Sequence, residues 1–159
     1  MTQPVQFVTL GIDKDVFAIP VENVQEILDL APVARLPQAP PCVTGIIDVR
    51  GKAYPVVDLR IKLGLPQAEP TPATRILVLR PSGAADIPSL GVIADRVFEV
   101  TALDAAPEAA PDAGGNWRGE AIAGIGRRHG GFVVVLDIAE LLAAERPLIE
   151  QTVPAEEAA

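Results

Sequence analysis

The sequence predicts an all-β protein with a few short helices, built as two similar units of about five strands that share one hydrophobic layer. Three observations carry this. Val, Ile and Leu come in runs of four to seven residues between Gly, Pro and Asp, which is the strand signature. The chain roughly repeats itself after 73 to 79 residues, as detailed below. Apolar residues make up 49% of its 159 positions and charged residues 21%, too hydrophobic for a disordered chain, yet no apolar stretch reaches the roughly 18 residues of a membrane span. A single domain of ordinary size over residues 1–159 is therefore expected.

Ten strands are predicted: Gln6 to Leu10, Val16 to Pro20, Val24 to Asp29, Thr44 to Val49, Ala53 to Val57, Arg75 to Arg80, Leu90 to Asp95, Val97 to Leu103, Ala121 to Ile125 and Phe132 to Leu136. So many short strands in this length suggest barrels or a sandwich. Ile12 to Asp15 and Arg50 to Lys52 read as hairpin turns, Gly51 being free to take a positive φ. Asp58 caps a short helix ending at Gly64, and Asp137 opens a second with Glu140 at the capping-box position. In that second helix Ile138, Leu141 and Leu142 form an inward stripe, and the pattern stops at Pro147. Pro66 to Pro72 reads as a connector between halves, Ala105 to Gly119 as a long surface loop that Trp117 packs down, and the acidic, Ala-rich end from about residue 150 as a flexible tail.

The repeat is the most informative internal feature. A shift of 73 sets Ile19 to Ile27 against Val92 to Val100, with a shared Val-x-Glu exit at Val24–Glu26 and Val97–Glu99. A shift of 79 sets Gly45 to Leu59 against Gly124 to Ile138, matching Gly45 with Gly124, Gly51 with Gly130 and Asp58 with Asp137. Matched Gly and Asp are punctuation that hydrophobicity alone would not align. The extra six residues fall where the Ala/Pro/Gly loop lies, as a surface insertion would. A unit of five strands buries too little of its own surface, so the two units are expected to share a core, with Val133 to Leu136 inside it. The expected division is 5–68 and 73–136, with the helix at 137–145 packing back on the first unit.

Composition also excludes functions. Thirteen Lys and Arg against 21 Asp and Glu give a formal charge of −8, which repels phosphate backbones and anionic lipid heads, so neither nucleic acid nor membrane is an expected partner. One Cys and one His cannot assemble a structural zinc site or an internal disulfide, and no metal or cofactor is expected. Met1 to Gln6 lacks the basic and apolar regions of a secretory signal, so a cytoplasmic location is expected. His129 lies in a presumed turn, and Cys42, after Pro40-Pro41, reads as a buried small hydrophobe. The glycines at 124, 126, 130 and 131 precede a strand where a dinucleotide loop needs a helix. Asp58 and Asp137 are accounted for as helix caps, and Asp13 and Asp15 as turn residues, so no catalytic constellation emerges. Arg50 stands out, because its counterpart in the second half is His129 and the repeat does not require Arg there.

Val24-Gln25-Glu26-Ile27, Arg35-Leu36-Pro37-Gln38-Ala39-Pro40, Val43 through Gly51 and Pro55 through Arg60, taken in that order, resemble the CheW family of bacterial chemotaxis coupling proteins over about residues 5 to 145. The resemblance implies two five-stranded SH3-like β-subdomains. It further implies a non-enzymatic adaptor that bridges the cytoplasmic signalling tip of chemoreceptors and the regulatory domain of the histidine kinase CheA, recruited to receptor arrays at the membrane without inserting into it. The receptor-binding residues it implies are Arg50, Glu26, Val24, Gly45, Asp48 and Val49. Opposite charges at Glu26 and Arg50 are further expected to pair and so to orient Arg50. Where many members carry Asn, this chain has Asp48. Two other readings are a CheW-like scaffold of a non-flagellar pathway, such as surface sensing or twitching, and a small-molecule-binding β-barrel.

Overall fold

The computed structural model describes residues 5–81, 88–104, 107–108 and 122–152. The strands are β1 (Phe7–Ile12), β2 (Asp15–Pro20), β3 (Val24–Asp29), β4 (Ala34–Arg35), β5 (Val43–Val49), β6 (Lys52–Asp58), β7 (Arg75–Leu79), β8 (Leu90–Ala94), β9 (Arg96–Thr101), β10 (Ile122–Arg128) and β11 (Gly131–Leu136). The helices are α1 (Leu59–Lys62), α2 (Ile138–Leu141) and α3 (Arg146–Thr152). All ten expected strands are present, and β4 is an addition. Trp117 and most of the loop expected at 105–119 lie outside the described residues.

The strands form a five-stranded sheet, β10-β11-β2-β1-β9, and a six-stranded sheet, β3-β7-β8-β6-β5-β4. Each curls back so that strands distant in pairing order approach each other. In the first, Asp104 N donates to Arg127 O at 2.8 Å and Arg128 lies 3.3 Å from Glu99 on β9. In the second, Arg50 in the β5–β6 turn reaches Glu26 on β3, although three strands separate β3 from β5 in pairing order. These are two all-β lobes of barrel type, with β4 extending one of them.

The expected division into 5–68 and 73–136 is not how the strands pair. The hairpin β1–β2 joins β9, β10 and β11 from the second half, while β7–β8 joins β3, β5 and β6 from the first. Hydrophobic periodicity dictates which face of a strand is buried, but both copies of a repeated hairpin satisfy the same edge, so it does not dictate which copy docks there. The repeat itself is reproduced residue by residue. Gly45 opposes Val56 as Gly124 opposes Val135, and the parallel contact Val56–Gly91 recurs as Val135–Ala18. The two copies have exchanged their first hairpins.

Burial follows from this interlock. The largest apolar cluster is the shared layer, with Val8, Leu10, Phe17 and Ile19 from β1–β2 and Leu77, Leu79, Leu90 and Val92 from β7–β8. Ile47, Tyr54, Val56, Ile76 and Val78 fill one barrel, and Phe7, Ala18, Val133 and Val135 fill the other. The run Val133 to Leu136 is thus split by the strand period of two. Val133 and Val135 point into their own barrel, whereas Leu136 and, in part, Val134 reach the shared layer. At roughly 1.5 to 3 kcal/mol for each fully buried large side chain, these clusters are the main source of stability.

The helices start as their caps require. Asp58 accepts from Arg60 N at 3.0 Å and Asp137 from Glu140 N at 3.2 Å. Gly64 takes φ 86°, and Leu65 N donates back to Arg60 O, closing α1. Pro147 does not end the C-terminal helical segment. A 3-10 turn at Ala143–Glu145 leads into α3, where Pro147 sits in the first turn and its missing N–H breaks no bond. The segment packs back on the first half. Ile149 is fully buried, and Lys62 of α1 pairs with the buried carboxylate of Glu145. Residues 150–152, expected in a flexible tail, continue α3, and 153–159 lie outside the described residues.

Candidate functional site

The hairpin β5–β6 is closed by two residues in left-handed backbone, Arg50 at φ 52° and Gly51 at φ 86°. Two successive positive φ values give the turn whose twist matches that of its strands. Asp48 Oδ1 accepts the Gly51 N–H at 2.8 Å and fixes this turn. An amide oxygen would do the same, so Asp48 in place of Asn keeps the turn and adds a charge.

The turn holds Arg50 at the surface, its side chain 71% exposed. Residues 24, 26 and 28 of β3 are half-buried while 25, 27 and 29 are exposed, so Glu26 lies on the row that faces the closing seam. There it accepts from both terminal nitrogens of Arg50, at 2.6 and 2.5 Å. These hydrogen bonds hold the Glu26 carboxyl below the usual carboxylate range and raise Arg50 further. A two-pronged contact fixes the plane of the guanidinium, and three of its five N–H donors remain to be offered outward.

The other expected site residues divide by burial. Val24 is half-buried against the shared layer and Val49 against the barrel interior. Gly45 is buried, and a Cβ there would stand 2.0 Å from the Ala34 carbonyl oxygen. Its missing side chain therefore admits β4. Gly45→Ala is expected to cost about 1–3 kcal/mol, through overpacking against backbone, measured by chemical denaturation; unchanged stability would mean that β4 does not seat there. Arg50, Glu26 and Asp48 are thus gathered at one surface point, with the valines behind them. Sequence reading missed the apolar residues on the outward side, Val21, Ile27 and Leu30, which are 38%, 41% and 37% exposed. The adjacent pair Ile27-Leu28 was the available signal, since one of two successive strand residues must face out.

The second half repeats the geometry without the chemistry. His129 and Gly130 take φ 54° and 81°, and Glu99 occupies the register of Glu26. Its carboxylate lies 3.6 Å from the exposed His129 and 3.3 Å from Arg128. An imidazole cannot grip a carboxylate with two parallel donors, so this turn lacks an oriented fork.

Three further polar residues, Arg60, Asp95 and Asp13, lie between the lobes. Arg60 pairs with Asp95 and reaches Asp13 at 3.5 Å, and Asp13 N donates to Asp95 at 2.7 Å. Arg60 and Asp95 line, with Asp58, Thr44 and Ile93, an open cleft of about 240 Å³. Desolvation, with the charge of Asp95 adding to it, pushes Asp58 above the usual carboxylate range against the bond from Arg60 N. The folded state then holds this proton more tightly than the unfolded chain. The resulting stabilisation is complete below the ordinary Asp range and is lost as pH rises through the raised value. Asp58→Asn, which keeps the capping oxygen, is expected to melt at or above wild type at neutral pH, an advantage that vanishes on acidification; Asp58→Ala should lose about 1 kcal/mol. Thermal melts across pH check this, and an Asn variant as weak as the Ala variant would overturn it. Burial raises Cys42, with Glu145 adding to the effect, leaving a poor nucleophile.

Residues 6–146 match the family model of the CheW-like domain. The chain belongs to the CheW-like family. Among CheW-like relatives, the chemotaxis protein CheW of Helicobacter pylori is 30% identical over 142 residues, covering 86% of this chain and 81% of the relative. Protein FrzA of Myxococcus xanthus is 30% identical over 130 residues, 80% and 79% of the two chains. The crystal structure of the scaffolding protein TtCheW from Thermoanaerobacter tengcongensis aligns with a TM-score of 0.78 over 89% of this chain and 90% of that one, at 22% identity, and shows the same CheW fold. The SH3-like pair of β-lobes expected from the resemblance is thereby shown. No described helix is long and apolar enough to cross a membrane.

Proposed function

We propose that this protein is a non-enzymatic adaptor that couples the cytoplasmic signalling tip of chemoreceptors to the regulatory domain of a CheA-type histidine kinase, working in the cytoplasm at receptor arrays. The observation that carries the reading is the Arg50–Glu26 fork, an exposed cation held in one orientation by a two-pronged contact beside half-buried valines. Arg so placed suits recognition of another protein, because directed donors and an apolar rim meet at one point. Both described barrel interiors are filled by side chains, which argues against the small-molecule barrel. Receptor-facing roles are proposed for Arg50, Glu26 and Asp48 directly, and for Val24, Val49 and Gly45 as the support beneath them.

The test is co-purification of the chain with a receptor signalling fragment and a CheA regulatory domain. A ternary complex at micromolar affinity is expected, on the order of −8 kcal/mol. Purified protein that binds neither partner would sink the proposal. The FrzA match, under a name other than CheW, supports a second reading in which the same coupling serves a pathway other than flagellar motility.

A further inference from the structure

We infer that this chain can exchange halves with a second copy of itself, giving a dimer in which each two-lobed body takes residues 5–64 from one chain and 75–152 from the other. The inference rests on topology, independently of the adaptor reading. Four strand junctions join the two halves: β1 with β9, β2 with β11, β3 with β7 and β6 with β8. Within the first half alone, the hairpin β1–β2 has no pairing to β4-β5-β6; within the second, β7–β8 has none to β10–β11. Each half is therefore a set of unfinished edges that only the other half completes. Backbone ladders and the shared layer form equally well whichever chain supplies the complement, which is the condition for swapping.

The link between the halves permits it. Residues 66–73 are all exposed, and the bonds of Thr71 to Ala73 and Thr74 are local. Pro66, Pro70 and Pro72 favour an extended run. At about 3.1 Å per residue, positions 65–74 could span roughly 30 Å, about twice the 15 Å radius of gyration expected for a chain of this size. That is enough to pass from one body to a neighbour in contact with it. Closed monomer and exchanged dimer contain the same packed surfaces and differ in the link and in translational freedom, so chain concentration during folding selects between them. A folded monomer must break all four junctions to exchange, which separates the two forms by a high barrier. The exchanged form would carry two Arg50–Glu26 forks on one particle, making an adaptor bivalent.

The test uses the full chain, unfolded in guanidinium and refolded at micromolar and at millimolar concentration, then measured by size exclusion with light scattering. Dilute refolding should give monomer. Concentrated refolding should add a species of twice the mass that persists on dilution. Exchange is then separated from side-by-side association by co-refolding two variants in a Cys42→Ala background, one carrying Asp29→Cys and the other Arg75→Cys, positions opposed across the β3–β7 junction. A disulfide joining the two variants is expected in the dimer fraction and absent from the monomer fraction. Monomer at every concentration, a polydisperse aggregate instead of a dimer, or a dimer without the crosslink would each overturn the inference.

Discussion

Arg50→Glu is expected to weaken receptor binding by about 30-fold or more, the effect of losing an interface hot spot, while leaving the thermal midpoint close to wild type. The two halves of that expectation have different causes. Arg50 is largely exposed and its contact with Glu26 lies at the surface, where ion pairs add little to stability. Binding, in contrast, needs a guanidinium presented in a fixed plane, and a carboxylate at the same turn repels Glu26 and Asp48. The charge-swapped pair Arg50→Glu with Glu26→Arg separates presentation from pairing. It restores an ion pair across the seam but moves the fork from the turn to β3. If the partner reads Arg50 itself, the double variant remains defective. Recovery of full affinity would show instead that only closure of the seam matters. Acidification gives an independent readout: Glu26, whose carboxyl is held below the usual range, keeps its grip until pH falls through that lowered value, so binding should weaken only there and not near neutrality. Affinities measured by titration calorimetry, alongside thermal melts, decide both points.

Cutting the chain at the connector is expected to have the largest effect on folding. Fragments 1–70 and 71–159 should each lack a cooperative melt, and an equimolar mixture should regain one. The reason is that four of the strand junctions run between the fragments and that the shared layer takes Leu10 and Ile19 from one and Leu79 and Val92 from the other. No fragment keeps a sheet of more than three strands, and such a sheet with an uncovered apolar face is at the edge of stability. Circular dichroism during thermal unfolding is sufficient. A cooperative melt from either fragment alone would contradict the interlocked arrangement, since a sequential pair of domains would survive the same cut.

How far the site could be read from residues alone follows the same line. Arg50 was visible because it departs from its repeat partner His129, and Glu26 because the Val-x-Glu exit recurs at Val97–Glu99. The exposed apolar residues Val21, Ile27 and Leu30 and the Arg60–Asp95–Asp13 contacts were not visible. Which of two adjacent apolar residues faces out depends on the strand's seat in the sheet. Contacts between positions 13, 60 and 95 depend on how the lobes meet.

Local chemistry was therefore enough for the elements: ten strands, two Asp-capped helix starts and two turns with positive φ follow from side-chain periodicity, hydrogen-bonding side chains and glycine's freedom, all of which act over a few residues. The repeat extended that to the statement that the hairpins at 43–58 and 122–136 adopt one geometry. What tertiary structure alone decided was the partner of each hairpin. Two nearly equivalent copies present nearly equivalent edges, so the choice between keeping and exchanging β1–β2 rests on long-range packing of the shared layer. Pro147 shows the same limit on a smaller scale, because whether a proline ends one helix or begins the next depends on whether Ile149 has a buried place to go.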